Sequence, residues 1–144
     1  MCYNLLASRD DTANYLVTGY WTERALTEAS KFMQPQVVAN AKNLAYKTVP
    51  LTSEWQINSR GRFFFYCDNE TIQGLEFNDF PYDALPEGTL LVSDMTSNIG
   101  TKRIDWSKYA AVFAGVSKNL GPAGLTVLIV RSDLIPGHLE DTPQ

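Results

Sequence analysis

The sequence predicts an α/β fold: a mainly parallel sheet with flanking helices. Three observations carry that expectation. Short apolar runs recur at residues 15–17, 63–67, 90–92, 110–114 and 125–130, and they are continuous rather than alternating, as in strands covered on both faces. Most of these runs end on polar or small residues: Gly19, then Asp68-Asn69-Glu70-Thr71, then Ser93-Asp94, then Gly115. A segment of helical periodicity follows the first run and precedes the next extended stretch, the order of a βαβ unit.

The strand at Tyr15-Leu16-Val17-Thr18-Gly19 follows a short mixed stretch and ends on glycine. Trp21-Thr22-Glu23-Arg24 then opens a helix running to about Phe32, because Ala25, Leu26, Ala29 and Phe32 recur at helical spacing. Thr22 reads as its cap, with Glu23 well placed in the first turn. Residues 36–40 read as a short strand, parallel to the first when the helix crosses over. Residues 41–59 are the least regular, and Pro50, Thr52 and Ser53 mark turns. Phe63-Phe64-Phe65-Tyr66-Cys67 and Leu90-Leu91-Val92-Ser93-Asp94 are the clearest buried strands. Asp105-Trp106-Ser107-Lys108 reads as a helical turn, and residues 110–114 and 125–131 complete the set as buried strands. Beyond Leu134, Pro136, Gly137 and Pro143 end the chain in loop.

Composition bounds the function classes. The chain has 144 residues, 44% hydrophobic and 19% charged, which suits one ordinary core and not a disordered segment. A net charge of −4, with no cluster of lysine and arginine, argues against a nucleic-acid partner. No apolar run nears the roughly 18 residues of a membrane span. The start, Met1-Cys2-Tyr3-Asn4-Leu5-Leu6, lacks the pattern of a signal peptide. Cys2 and Cys67 are too few for a disulfide framework, which points to a reducing, cytoplasmic setting, and Cys67 reads as a small buried apolar residue. The lone histidine, His138, lies in the Pro/Gly tail, so neither a metal site nor a Ser-His or Cys-His pair is expected.

One stretch organises the candidate site: Ala114-Gly115-Val116-Ser117-Lys118-Asn119-Leu120-Gly121-Pro122-Ala123-Gly124. Lys118 stands at the mouth of a strand, among glycines that let other atoms approach the backbone. It reads either as a loop lysine between two strands or as an amine that loses its proton and condenses with a carbonyl. Ligands of parallel sheets sit beyond the carboxyl ends of the strands. Those ends also carry Trp21, Asn69-Glu70-Thr71 and Asp94, so one mouth would collect a lysine, a carboxylate, an indole and a hydroxyl. Such a set is what pyridoxal 5'-phosphate requires. The amine holds its aldehyde, the carboxylate keeps the pyridine nitrogen protonated, the indole stacks on the ring and the hydroxyl meets the phenolic oxygen. Each residue also has a plainer reading: Asp94 as a turn cap, Trp21 as a core anchor, Thr71 as a turn residue, Ser117 as loop filler.

At these residues the sequence resembles the phosphoserine aminotransferase family, fold-type I pyridoxal-phosphate enzymes of serine biosynthesis. The matching stretches are Tyr15-Leu16-Val17-Thr18-Gly19-Tyr20-Trp21, Tyr66-Cys67-Asp68-Asn69-Glu70-Thr71-Ile72-Gln73-Gly74, Val92-Ser93-Asp94-Met95-Thr96-Ser97-Asn98 and the lysine stretch above. They follow the family's order and spacing over nearly the whole chain. The resemblance implies the large-domain fold of that enzyme class, with Lys118 as the Schiff-base lysine and Asp94 as partner of the pyridine nitrogen. It makes Trp21 the stacking indole and Thr71 the hydroxyl near the ring oxygen. The family's glutamine before the lysine is Ser117 here, which is shorter and lacks an amide N–H, so its contact with the cofactor phosphate would run through water. The implied partners are small molecules, phosphoserine with 3-phosphohydroxypyruvate and glutamate with 2-oxoglutarate, handled by a homodimer. Desulfurases and lyases of this fold type share the lysine and aspartate, but Asn69-Glu70-Thr71 and Gly121-Pro122-Ala123-Gly124 argue against them.

The family's enzymes are much longer. Residues 1–144 resemble a partial cofactor-binding large domain, without the family's N-terminal segment, C-terminal small domain and substrate arginines. Two functions stay open: a phosphoserine:2-oxoglutarate aminotransferase working through Lys118, or a truncated, catalytically incompetent piece acting at most as a cofactor-binding or association module. With outer strands and helices missing, the isolated chain is expected to be unstable or to aggregate.

Overall fold

The continuous apolar runs become the central strands. The computed structural model describes residues 5–8 and 10–135. Along the chain lie β1 (Asn14–Val17), α1 (Tyr20–Ala29), β2 (Gln36–Asn40), β3 (Phe64–Cys67), β4 (Asn69–Glu70), β5 (Leu75–Glu76), β6 (Leu91–Asp94), β7 (Ala111–Gly115) and β8 (Thr126–Val130). Six strands form one sheet in the order β2-β1-β3-β6-β7-β8, while β4 and β5 pair as a small hairpin. Neighbours in the large sheet are parallel, except that β8 runs antiparallel to β7. The β1–α1–β2 crossover is the parallel unit that the helical periodicity predicts.

Every residue of β1 and β3 is buried, which is why neither shows alternation. Successive side chains still point to opposite faces. Phe64 and Tyr66 pack with Leu16, Leu91 and Val112 on one face, and Phe65 packs with Tyr15, Val92 and Ala111 on the other. The second face is covered by Ala25, Leu26 and Ala29 of α1. The first is covered by irregular segments with single 3₁₀ turns, through Val49, Trp55, Tyr82, Leu85 and Ile104. Trp55 stacks on Phe64 at 5.6 Å, and its Nε1 donates to the Pro50 carbonyl at 3.1 Å.

A buried polar line runs beside this core. The hydroxyls of Tyr82, Tyr109 and Tyr66 stand 2.9 Å apart in sequence, and Tyr66 donates to Asp68 Oδ1 at 3.1 Å. Asp68 Oδ2 accepts from Asn98 Nδ2 at 2.5 Å and pairs with Lys102 Nζ at 2.7 Å. Burial, with the Asp68 charge beside it, pushes the Tyr66 hydroxyl far up from its ordinary pKa.

Three expectations change. α1 ends at Ala29 rather than near Phe32: the Ser30 hydroxyl bonds back to the Leu26 carbonyl at 2.9 Å, and the chain tightens as Phe32 N–H turns to the Ala29 carbonyl. Thr22 is not the N-cap; Gly19 is. The run at 125–130 forms a strand, but an exposed one, because among the described residues β8 is the sheet edge and pairs only with β7. Apolar content alone could not distinguish an edge from a centre. Cys2 and His138 lie outside the described residues.

Candidate active site

The carboxyl ends of β1, β3, β6 and β7 open into one pocket of about 310 Å³, the lower end of the range for small-molecule sites. It is lined by Trp21, Cys67, Asn69, Thr71, Asp94, Thr96, Ser97, Ser117 and Lys118, so the five residues singled out from the sequence meet there. The sheet order explains the convergence. From β1 the chain passes through α1 to β2 on one side, then returns to β3 on the other. Loops that leave in opposite directions from adjacent strand ends leave a crevice between them.

Asp94 ends β6, and its Oδ1 accepts the Thr96 backbone N–H at 2.8 Å. The turn-cap reading and the pocket position therefore hold together. Burial lifts the Asp94 carboxyl above the usual carboxylate range, against the opposing pull of the Thr96 hydrogen bonds. Among the described residues no cation forms an ion pair with Asp94. Lys118 is exposed in the turn after β7 and likewise makes no ion pair among the described residues. Amine and carboxylate thus line one pocket without meeting each other.

The loops that hold them are tied together. Thr96 Oγ1 accepts the Gly115 N–H at 3.2 Å. A Cβ on Gly115 would stand 3.4 Å from Thr96 Cγ2, an ordinary van der Waals contact, so this approach does not require glycine. Asn119 Nδ2 donates to the Ile99 carbonyl at 2.8 Å and anchors the lysine turn from its far side. Gly121 and Gly124, by contrast, face open space, so the close approach expected of the glycines after Lys118 is not made there.

Trp21 is the second residue of α1 and 45% exposed, with the Tyr20 ring edge-on to it at 5.1 Å. Thr71 is exposed, at the start of the turn joining β4 to β5. Ser117 is exposed beside Lys118. Cys67 is buried, its Sγ donates to the Asn69 carbonyl, and burial pushes its thiol well up, so it serves as an inert wall. Asn69, placed at this mouth from the sequence, does line it, whereas sequence reasoning missed Thr96 and Ser97 as lining residues. The Asp94-Met95-Thr96 spacing of an Asx turn carried a signal for Thr96. Nothing local announced that the Ser97 hydroxyl donates to the Asn69 carbonyl at 3.0 Å.

The model of the aminotransferase class-V family matches residues 2–139. The chain belongs to that family. Phosphoserine aminotransferase of Drosophila melanogaster is 42% identical over 138 residues, which cover 96% of this class-V chain and 37% of that protein. A solved phosphoserine aminotransferase from Bacillus circulans subsp. alkalophilus matches with a TM-score of 0.82 at 37% identity, covering 92% of this chain and 36% of that one. A pyridoxal-phosphate-bound phosphoserine aminotransferase from Trichomonas vaginalis matches with a TM-score of 0.78 at 33% identity, covering 91% and 36%. The chain spans about a third of the length of the curated relatives it matches. The resemblance to phosphoserine aminotransferases read from the four sequence stretches is met. Among the described residues, no helix is long and apolar enough to cross a membrane.

Proposed function

We propose that this chain is part of a phosphoserine:2-oxoglutarate aminotransferase of serine biosynthesis, dependent on pyridoxal 5'-phosphate, with Lys118 as its catalytic lysine. The observation that carries the reading is the single pocket shared by Lys118, Asp94, Trp21 and Thr71. Its donor set suits the cofactor. Asp94 is a partly buried carboxylate without a cation partner among the described residues, and a protonated ring nitrogen would supply the missing charge. When bound, pyridoxal phosphate supplies an electron sink for the pair left at the substrate α-carbon.

The chain's residues divide the remaining work. Lys118 Nζ would hold the cofactor aldehyde and, once the substrate amine has displaced it and freed the lysine amine, would take the substrate α-proton and return it. Asp94 would hold the proton on the ring nitrogen, Trp21 would stack on the ring face, and the Thr71 hydroxyl would donate to the phenolic oxygen. Ser117 would reach the phosphate through water. Phosphoserine with 3-phosphohydroxypyruvate, glutamate with 2-oxoglutarate, and a homodimeric whole enzyme belong to the same reading, supported by the similarity to phosphoserine aminotransferases. A cytoplasmic location rests on cysteine usage, with Cys67 a buried free thiol. Borohydride reduction in the presence of pyridoxal phosphate, followed by peptide mapping, is expected to label Lys118. No label, or a label that survives Lys118→Ala, overturns the assignment.

A second reading has its own support: the chain spans about a third of its relatives' length and leaves β8 uncovered. Residues 1–144 would then be a partial large domain that binds cofactor, or associates, without turnover. Transaminase activity of the chain removes this reading; labelling of Lys118 without turnover selects it.

A further inference from the structure

The least expected contact in the molecule joins Glu70 to the start of α1. Glu70 is fully buried, and no cation forms an ion pair with it among the described residues. Its Oε2 accepts the Trp21 N–H at 2.9 Å; its Oε1 accepts the Thr22 N–H at 2.8 Å and the Thr22 hydroxyl at 2.6 Å. Thr22 Oγ1 in turn accepts the N–H groups of Thr18 and Gly19, at 2.9 and 3.0 Å. Gln73 Oε1 accepts the remaining one, from Tyr20, at 3.1 Å. Five successive backbone N–H groups, from Thr18 to Thr22, are therefore held by three side chains. Two of those three come from the β4–β5 hairpin, about 50 residues further along.

An ordinary helix cap is local, made by the residue just before the helix. Here that residue is Gly19, which has no side chain. A Cβ at Gly19 would stand 2.6 Å from Gln73 Oε1 and 2.8 Å from Glu70 Oε2, so glycine makes room for the foreign caps. The positive end of the helix dipole supplies the charge complement that Glu70 lacks elsewhere. The arrangement has a geometric consequence. Glu70 is bonded through the chain to Thr71, and through hydrogen bonds to Trp21, and these two residues line the same pocket.

We infer that Glu70 is a positioning residue that sets the indole of Trp21 relative to the hydroxyl of Thr71, with Gln73 as its auxiliary. The inference rests on the reading that the pocket takes pyridoxal phosphate. In Glu70→Gln one oxygen becomes an NH₂ that faces N–H donors, so at least one N–H of Trp21 or Thr22 loses its acceptor. Trp21 is then no longer held against the ring, while the tether of Lys118 is untouched.

The test uses the full chain titrated with pyridoxal phosphate, followed by fluorescence and by borohydride labelling. The part of the tryptophan quenching that Trp21→Phe abolishes defines the Trp21 signal. Glu70→Gln is expected to lose that signal and to weaken cofactor binding roughly tenfold, yet still to label at Lys118. Gln73→Leu removes one partly accessible acceptor and leaves the buried carboxylate in place. It is expected to reduce the Trp21 signal and weaken binding roughly threefold. Wild-type signal and affinity in Glu70→Gln overturn the inference. Should that variant not fold, Gln73→Leu decides: a diminished Trp21 signal supports the inference, and an unchanged one overturns it. Failure of the unaltered chain to label at Lys118 defeats the cofactor reading itself, whereas a labelled chain with an indifferent Glu70 defeats only the positioning role.

Discussion

Replacing Leu125 and Leu128 by lysine should turn a self-associating chain into a monomeric one. The reasoning starts at the sheet edge. β8 pairs with β7 on one side, and its other side presents backbone N–H and C=O groups with no strand beyond among the described residues. Leu125 is 74% exposed, Leu128 54% and Ile129 38%. Leu128 also borders an apolar hollow of about 360 Å³ that includes Tyr15, Phe63, Phe65 and Phe113. Fully burying a leucine contributes about 1.5–3 kcal/mol, so covering the exposed fractions of Leu125 and Leu128 would contribute roughly 2.5 kcal/mol to association. Removing that contribution raises the concentration needed for association by about 70-fold. Sedimentation velocity over a dilution series measures the shift directly. A wild-type chain that stays monomeric throughout and unfolds cooperatively would refute the reasoning, as would a double variant that associates at the wild-type concentration.

Other perturbations probe the site and the core. The folded-state pKa of Asp94 lies above its ordinary value, so its contribution favours the fold at low pH and is lost as pH rises through the folded pKa. In the cofactor-free chain, Asp94→Asn should therefore match the wild-type urea midpoint in acid and exceed it near neutrality; parallel pH profiles would contradict this. Asp68→Asn leaves Lys102 and Asn98 facing an amide instead of a carboxylate, and should cost roughly 2–3 kcal/mol in urea unfolding, moderated because Lys102 is partly exposed. A change below about 0.5 kcal/mol would show that the buried polar line adds little. Ser117→Gln adds an amide N–H at the pocket rim and should tighten pyridoxal phosphate roughly tenfold while leaving pyridoxal unchanged. Equal gains for both ligands would rule out contact with the phosphate.

How much of this was legible in the sequence depends on how local each cause is. The strands at Phe64–Cys67 and Leu91–Asp94 could be read because double burial writes itself as an unbroken apolar run. The same rule misled at β8, whose composition matches a central strand but whose burial depends on neighbours absent from the described residues. That Lys118, Asp94, Trp21, Thr71 and Ser117 share one pocket could be read because ligands of such sheets sit beyond the strand ends. The cap on α1 was misassigned for the opposite reason. Thr22 has the right chemistry one turn too late, and its acceptor partner lies 48 residues away, beyond any local pattern. Asp68 and Asn98 gave no signal, since a buried polar pair looks like loop until its partners are seen.

The contacts around the pocket form a series that bears on the two functional readings. Glu70 fastens the end of β1 to the hairpin after β3. Ser97 fastens the loop after β6 to Asn69, and Thr96 fastens that loop to Gly115 at the end of β7. Asn119 closes the series by reaching back to Ile99. Each strand-end loop is thus bonded to the next through a side chain, so the rim does not depend on what covers the outer faces of the sheet. Exposed apolar surface also lies at the β8 edge and the apolar hollow beneath it. A rim secured in this way would hold a small aromatic ligand without help from whatever packs on the outer faces of the sheet. If the pocket takes the cofactor as proposed, capture and turnover should be separable: labelling of Lys118 should persist under conditions where amino-group transfer does not. Joint loss of both in every rim variant, with no variant that labels without turnover, would mean that the rim is not the independent unit its hydrogen bonds describe.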